Sequence, residues 1–119
     1  MADPCLPQKY RWDWVDCNQD SSPSIIAVTL PDKHLNGTIP PSFATLSALV
    51  KLDLARNNLS GSIPEALATL SNLNYLNLID NDLNGSVPIG LSEKQQRGEL
   101  IMRQVSFLLQ NKSVIMLSV

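Results

Sequence analysis

Little charge, two cysteines and a single histidine are the scarcities of this chain, and each one argues against a class of function. Charged residues make up 17% of the 119 and the net charge is −2. No basic stripe is therefore available to neutralise phosphates, which argues against a nucleic-acid partner. His34, the lone histidine, lies near Asp32 and a few serines and reads as an exposed turn position, not as a catalytic base. There is no Gly-rich phosphate loop, no H-E-x-x-H and no EF-hand spacing. The expectation is a non-enzymatic protein with no cofactor and no bound metal. No run of apolar residues is long enough to cross a bilayer, and the residues after Met1 show no charged segment followed by an apolar one. A secretion signal and a membrane span are thus expected to lie outside this sequence. What polar surface exists comes mostly from Ser, Asn and Thr, which suits a hydrogen-bonding, extracellular face.

Cys5 and Cys17 admit three readings: a redox pair, half of a metal site, or a disulfide. Neither of the first two is supported by a C-x-x-C or by a second Cys or His cluster, and an oxidising compartment would favour the third.

The positive signal is a repeat. Leu49 to Asn72 reads LVKLDLARNNLSGSIPEALATLSN, and a copy of the same length and pattern lies directly before it and another directly after it. In this copy Leu49, Leu52, Leu54, Leu59, Ile63, Leu67 and Leu70 are the apolar positions, punctuated by Asn57, Gly61 and Pro64. The copy from Ile25 to Ala48 has Val28, Leu30, Leu35, Gly37, Ile39, Pro40, Phe43 and Leu46 in the matching places. The copy from Leu73 to Gln96 has Leu76, Leu78, Asn81, Leu83, Gly85, Val87, Pro88 and Leu91. The form L-x-x-L-x-L-x-x-N-x-L is the leucine-rich-repeat pattern, and its physical reading is a short solenoid in which each coil touches only its neighbours. Three copies in one register, each with an N-x-L-x-G-x-I/V-P segment or close to it, resemble the plant extracellular subclass of these repeats.

Each repeat divides in the same way. The alternation Leu52, Asp53, Leu54 is that of a short strand with leucines inward, and such strands stack into a parallel sheet on the concave face. Asn57 and Asn81 stand where an inward amide can bond the backbone of the turn and of the neighbouring coil; the first repeat has Lys33 instead. Gly37, Gly61 and Gly85 allow a tight turn, and the pairs at Ile39, Ile63 and Val87 with the following prolines mark a second extended segment. Pro64 to Leu70 predicts a short helical or 3₁₀ turn on the convex side. The resulting fold class is α/β, with 3₁₀ or irregular convex segments.

The flanks are expected to be caps. Residues 1–24 form an N-terminal cap that holds both tryptophans, Tyr10 and both cysteines, and a closed Cys5–Cys17 loop would contribute roughly 3 kcal/mol. Trp14, Val15 and Cys17, spaced W-V-x-C, resemble the amino-terminal cap in plant leucine-rich-repeat receptors. Asp3-Pro4-Cys5, with Pro7, Trp12 and Cys17, is similar to the junction joining a malectin-like domain to its repeats in one group of receptor-like kinases and receptor-like proteins. Residues 25–96 are the three repeats. Residues 97–119 break the pattern: Leu100 and Met102 fall two repeat lengths after Leu52 and Leu54, which predicts a partial fourth strand over Gly98 to Met102. Beyond it Val105, Leu108, Leu109, Ile115, Met116 and Val119 mark either one face of a capping helix or a loosely packed tail.

The candidate site is the concave face, where residues between the inward leucines project to solvent. Lys51, Asp53, Arg56, Asn74, Tyr75, Asn77 and Asp80 are its ligand-contacting candidates, with Val50, Ala55, Ile79, Ile26, Ala27, Thr29 and Asp32 beside them. An aromatic with bases and acids on one face suits a protein or peptide ligand. Four strands ~4.8 Å apart span roughly 15 to 20 Å, room for about five extended peptide residues, so high affinity would need a further domain or a co-receptor ectodomain. N-x-S/T acceptors at Asn36, Asn58, Asn84 and Asn111 are candidate glycosylation sites.

The resemblance implies an extracellular recognition part of a plant receptor-like kinase or receptor-like protein, associated with the plasma membrane in the full-length protein. A reading of a different class is a secreted cell-wall repeat protein that inhibits a wall-degrading enzyme.

Overall fold

A computed structural model describes Cys5 and residues 13–103. In chain order its strands are β1 (Val15–Cys17), β2 (Ile25–Thr29), β3 (Asn36–Thr38), β4 (Lys51–Asp53), β5 (Asn58–Gly61), β6 (Tyr75–Asn77), β7 (Asp82–Leu83) and β8 (Ile101–Arg103). They form two sheets. The larger has the order β1-β2-β4-β6-β8, parallel throughout except for β1, which pairs antiparallel with β2; the smaller is the parallel set β3-β5-β7.

The period-2 alternation of a strand explains the core. Val28, Leu52, Leu76 and Met102 are in register across four strands and all are buried, while their neighbours along each strand face the other way. Leu49, Leu54, Leu67, Leu70, Leu73, Leu78 and Leu91 belong to the same core. Each buried leucine contributes about 1.5–3 kcal/mol by leaving water. The strands of the larger sheet are short because the chain then leaves extended geometry: Asp32, Arg56 and Asp80, one per repeat, adopt left-handed φ values of 56°, 55° and 59°.

That turn breaks the backbone ladder, and the asparagine amides replace it. Asn57 Oδ1 accepts from the N–H groups of Lys33 (2.9 Å) and Leu35 (3.0 Å), and its Nδ2 donates toward the carbonyls of Leu30, Leu54 and Ala55. Asn81 does the same one repeat later, accepting from Leu59 N and donating to Leu54 O. Lys33 of the first repeat has no preceding repeat to bridge, and its side chain is exposed.

The second extended segment differs from its expected place. It precedes the Ile/Val-Pro pairs instead of containing them, so Asn36 and Asn58 are strand residues of the smaller sheet, paired with each other in register. Gly37 and Gly61, at φ 88° and 76°, lie within these strands. The chain then turns back through 3₁₀ helices at Pro41–Thr45 and Glu65–Thr69.

The third repeat departs from both. It carries an eight-residue α-helix, α1 (Ile89–Gln96), which packs on the preceding 3₁₀ helix so closely that a Cβ at Gly90 would lie 2.5 Å from Ala68 Cβ. The longer helix lengthens the repeat by two positions. Met102, not Leu100, therefore pairs with Leu76, and the fourth strand is Ile101–Arg103 instead of Gly98 to Met102.

Cys5 and Cys17 are joined in a disulfide with a Cα–Cα distance of 5.9 Å, and both are buried against the core. Cys17 ends β1, so the bond fixes the residue-5 end of the loop to the first strand of the sheet. Tyr10, Trp12, Asn111 and the residues from Val105 to Val119 expected as a capping helix or a tail lie outside the described residues.

Candidate functional site

The face of the larger sheet opposite the core carries the candidate residues in three rows. The first row is Ala27, Lys51, Tyr75 and Ile101; the second is Thr29, Asp53, Asn77 and Arg103. The third, just past the strand ends, is Asp32, Arg56 and Asp80, whose shared left-handed backbone brings them to one edge. Lys51, Asp53, Arg56, Tyr75 and Asp80 are thus on one surface, and Asn74 lies exposed immediately before β6.

Within the rows the side chains are partly committed to each other. Lys51 Nζ lies 5.5 Å from the centre of the Tyr75 ring, a cation–π distance that holds the ring partly covered. Arg56 Nε donates to both carboxylate oxygens of Asp32, at 2.9 and 3.1 Å. That hydrogen bond and the charge of Asp32, with Asp53 and Asp80 adding to it, push the Arg56 guanidinium above its ordinary pKa. Both partners are well exposed, so the pair orients the guanidinium more than it stabilises the fold.

Two of the expected side chains are less available. Asp53 accepts from Ala55 N (3.1 Å) and Asn77 from Ile79 N (3.3 Å), each closing a small turn at its strand end, and Asn77 is buried. Ala55, expected on the face, is fully buried because the chain has already begun to turn inward there. Two residues absent from the expected set also belong to the face. Ile101, 64% exposed beside Tyr75, and Arg103 beside Asn77 extend it onto β8. A strictly constant repeat length hides them; allowing a longer step from Leu76 to Met102 than from Leu52 to Leu76 reveals them.

An open groove of about 370 Å³ lies between Glu65–Thr69 and α1. Its cations are engaged: Arg97 bonds Glu99 at 3.1 Å, and buried Lys94 donates to the carbonyls of Leu70 and Leu73. Among the described residues no cluster of His, Cys, Asp and Glu could hold a metal ion, and no helix is long and apolar enough to cross a membrane. Of the glycosylation candidates, Asn36, Asn58 and Asn84 are all exposed.

The leucine rich repeat family model matches residues 27–83. A leucine-rich repeat receptor-like serine/threonine-protein kinase of Arabidopsis thaliana is 42% identical over 57 residues, covering 46% of this chain and 6% of that protein. A receptor-like protein kinase of the same plant is 43% identical over 52 residues, 41% of this chain and 6% of that protein. The repeats are homologous to those of plant leucine-rich-repeat receptor-like kinases, and the matched residues span only a small fraction of those relatives' length. The crystal structure of a pollen receptor kinase 3 aligns with 87% of this chain and 81% of that chain at 19% identity and a TM-score of 0.36.

Proposed function

We propose that this chain is a non-enzymatic recognition module, a short solenoid that is the extracellular repeat part of a plant receptor-like kinase or receptor-like protein and binds a protein or peptide on its concave sheet face. The observation that carries the reading is the registered row Lys51–Tyr75–Ile101, which displays an aromatic and an aliphatic side chain on adjacent strands of a backbone fixed by asparagine ladders. Rigid presentation of such side chains lowers the ordering cost of binding. The similarity to receptor-like kinases favours this over the inhibitor of a wall-degrading enzyme. Within the reading, the disulfide fits an oxidising compartment, Asn36, Asn58, Asn84 and Asn111 accept glycans, and a malectin-like region precedes Asp3 in the full-length protein.

The test is binding of plant extracellular proteins to the intact chain and to single variants. Tyr75→Ala costs on the order of 1 to 2 kcal/mol of affinity with the fold intact, Arg56→Ala weakens binding less, and Glu65→Ala or Glu93→Ala on the opposite side changes nothing. Loss of binding in the two glutamate variants alone places the site on the wrong face.

A further inference from the structure

We propose that the β8 end of the sheet face is a subsite for an extended peptide bearing an apolar side chain and, two residues along, a carboxylate, recognised by Tyr75 with Ile101 and by Arg103. The inference deepens the recognition reading above and rests on it.

The argument starts from the second row. At Asp53 and Asn77 the side chain turns back and its Oδ1 accepts a backbone N–H two residues on, which holds it down against the turn at the strand end. Arg103 holds the same register position, and a guanidinium has no acceptor with which to make that bond. It therefore projects from the sheet. Arg56 is paired with Asp32 and Lys51 is spread over Tyr75, whereas Arg103 has no acid within ion-pair distance among the described residues. In the first row, Ile101 is 64% exposed beside the partly covered Tyr75 ring.

Spacing then sets the ligand's chemistry. Ile101 and Arg103 are two residues apart on one strand, so their side chains leave the same face about 6.6 Å apart. An extended peptide lying along β8 has the same period between alternate side chains. Its apolar residue meets Tyr75 and Ile101 when its acid, two positions on, meets Arg103. Asp53, in the same row two strands away, repels a carboxylate placed over β4, which favours the β8 edge beside Arg103 for the acid.

A random heptapeptide library displayed on phage is selected on the intact chain and, in parallel, on Arg103→Gln and Tyr75→Ala variants whose thermal melting matches the wild type. Enriched sequences should place Asp or Glu two positions from an aliphatic or aromatic residue. An end-capped synthetic peptide of that sequence should bind wild type about three- to fivefold more tightly than Arg103→Gln, and the difference should vanish when its acid is replaced by the amide. Enrichment without an acid, or equal binding to Arg103→Gln, overturns the inference. If such peptides still lose affinity on Tyr75→Ala, the recognition face stands and only the acid subsite fails; if neither variant matters, both fail. An empty selection also overturns the subsite, as does an Ile101 methyl group shielded from a soluble paramagnetic probe in the peptide-free chain, because residues 104–119 or a second copy would then already occupy it.

Discussion

The ammonium of Lys94 donates to the Leu70 carbonyl at 2.7 Å, and the two residues, 24 apart, hold the same place in successive repeats. Leu46 and Leu70 fill that place with a hydrophobic side chain packed on the core; Lys94 fills it with a buried cation whose second contact is the Leu73 carbonyl at 3.0 Å. Burial lowers the pKa of Lys94 from its ordinary 10.5, with Glu99 opposing and Arg97 assisting.

The sign of the pH dependence follows. The unfolded chain keeps this proton up to about 10.5, while the folded chain releases it sooner, so unfolding takes up a proton in the interval between the two values. Stability contributed at this site is therefore lowest where Lys94 is charged in both states, and it rises with pH as 10.5 is approached. Lys94→Met should change stability at pH 7 by less than about 1 kcal/mol and should abolish this rise relative to wild type, whereas Lys94→Glu, which aims a carboxylate at two carbonyls, should cost about 3 kcal/mol or more. Chemical denaturation of the three proteins at pH 7, 9 and 10.5 checks both statements. A wild type that loses stability relative to Lys94→Met on going to pH 10.5 would show that the ammonium is net stabilising.

The leucine columns, the asparagine ladders and the 3₁₀ turns were legible because each repeat copies the others, and three copies average out local ambiguity. Legibility ended where copying ended. Lys94 in a leucine column and the lengthening of the third repeat by α1 each occur once, and a fixed repeat length misplaces everything after them, including Ile101 and Arg103. The inward turn of Ala55 and the self-bonding of Asn77 were missed for another reason. Alternation along a strand predicts which side a residue takes only while the strand lasts, and these strands end at Asp53 and Asn77.

Asn57 should be the most damaging single polar position. Its amide satisfies two N–H groups of the preceding repeat and faces three carbonyls, and it is buried. Asn57→Ala leaves several buried groups unpaired and should cost roughly 3 kcal/mol. Asn57→Asp keeps the acceptor for Lys33 and Leu35 but turns a charge toward the carbonyls, and should be no better. Urea melts of both variants decide it; an Asn57→Asp protein as stable as wild type would mean that only the acceptor matters.

The Cys5–Cys17 bond joins positions 12 apart in the sequence and ties the resulting loop to the end of β1. Substituting both cysteines by alanine should lower stability by roughly 3 kcal/mol. Hydrogen exchange should rise first in β1 and at its β2 pairing, with β6 and β8 little changed, because neighbouring repeats touch only each other. Uniform acceleration across all strands would contradict that local role.

Gly90 tests whether contact or propensity governs α1. In an exposed helix, Gly→Ala gains about 1 kcal/mol of helix propensity. Here the added methyl would sit 2.5 Å from Ala68 Cβ, 3.3 Å from Glu65 Oε1 and 3.9 Å from Ala68 Cα, so the 3₁₀ helix and α1 would have to separate. Their contact seats Leu67 and Leu91, both fully buried, and parting the two elements opens space around those side chains. Overpacking of this kind costs roughly 1–3 kcal/mol, which outweighs the propensity gain. Gly90→Ala should therefore be destabilising, and Ala68→Gly introduced with it should restore much of the loss by moving the methyl from one element to the other. A double-mutant cycle of thermal melts measures the coupling. If Gly90→Ala alone stabilises the chain, the close approach of α1 to the preceding repeat is not what holds the longer third repeat in place.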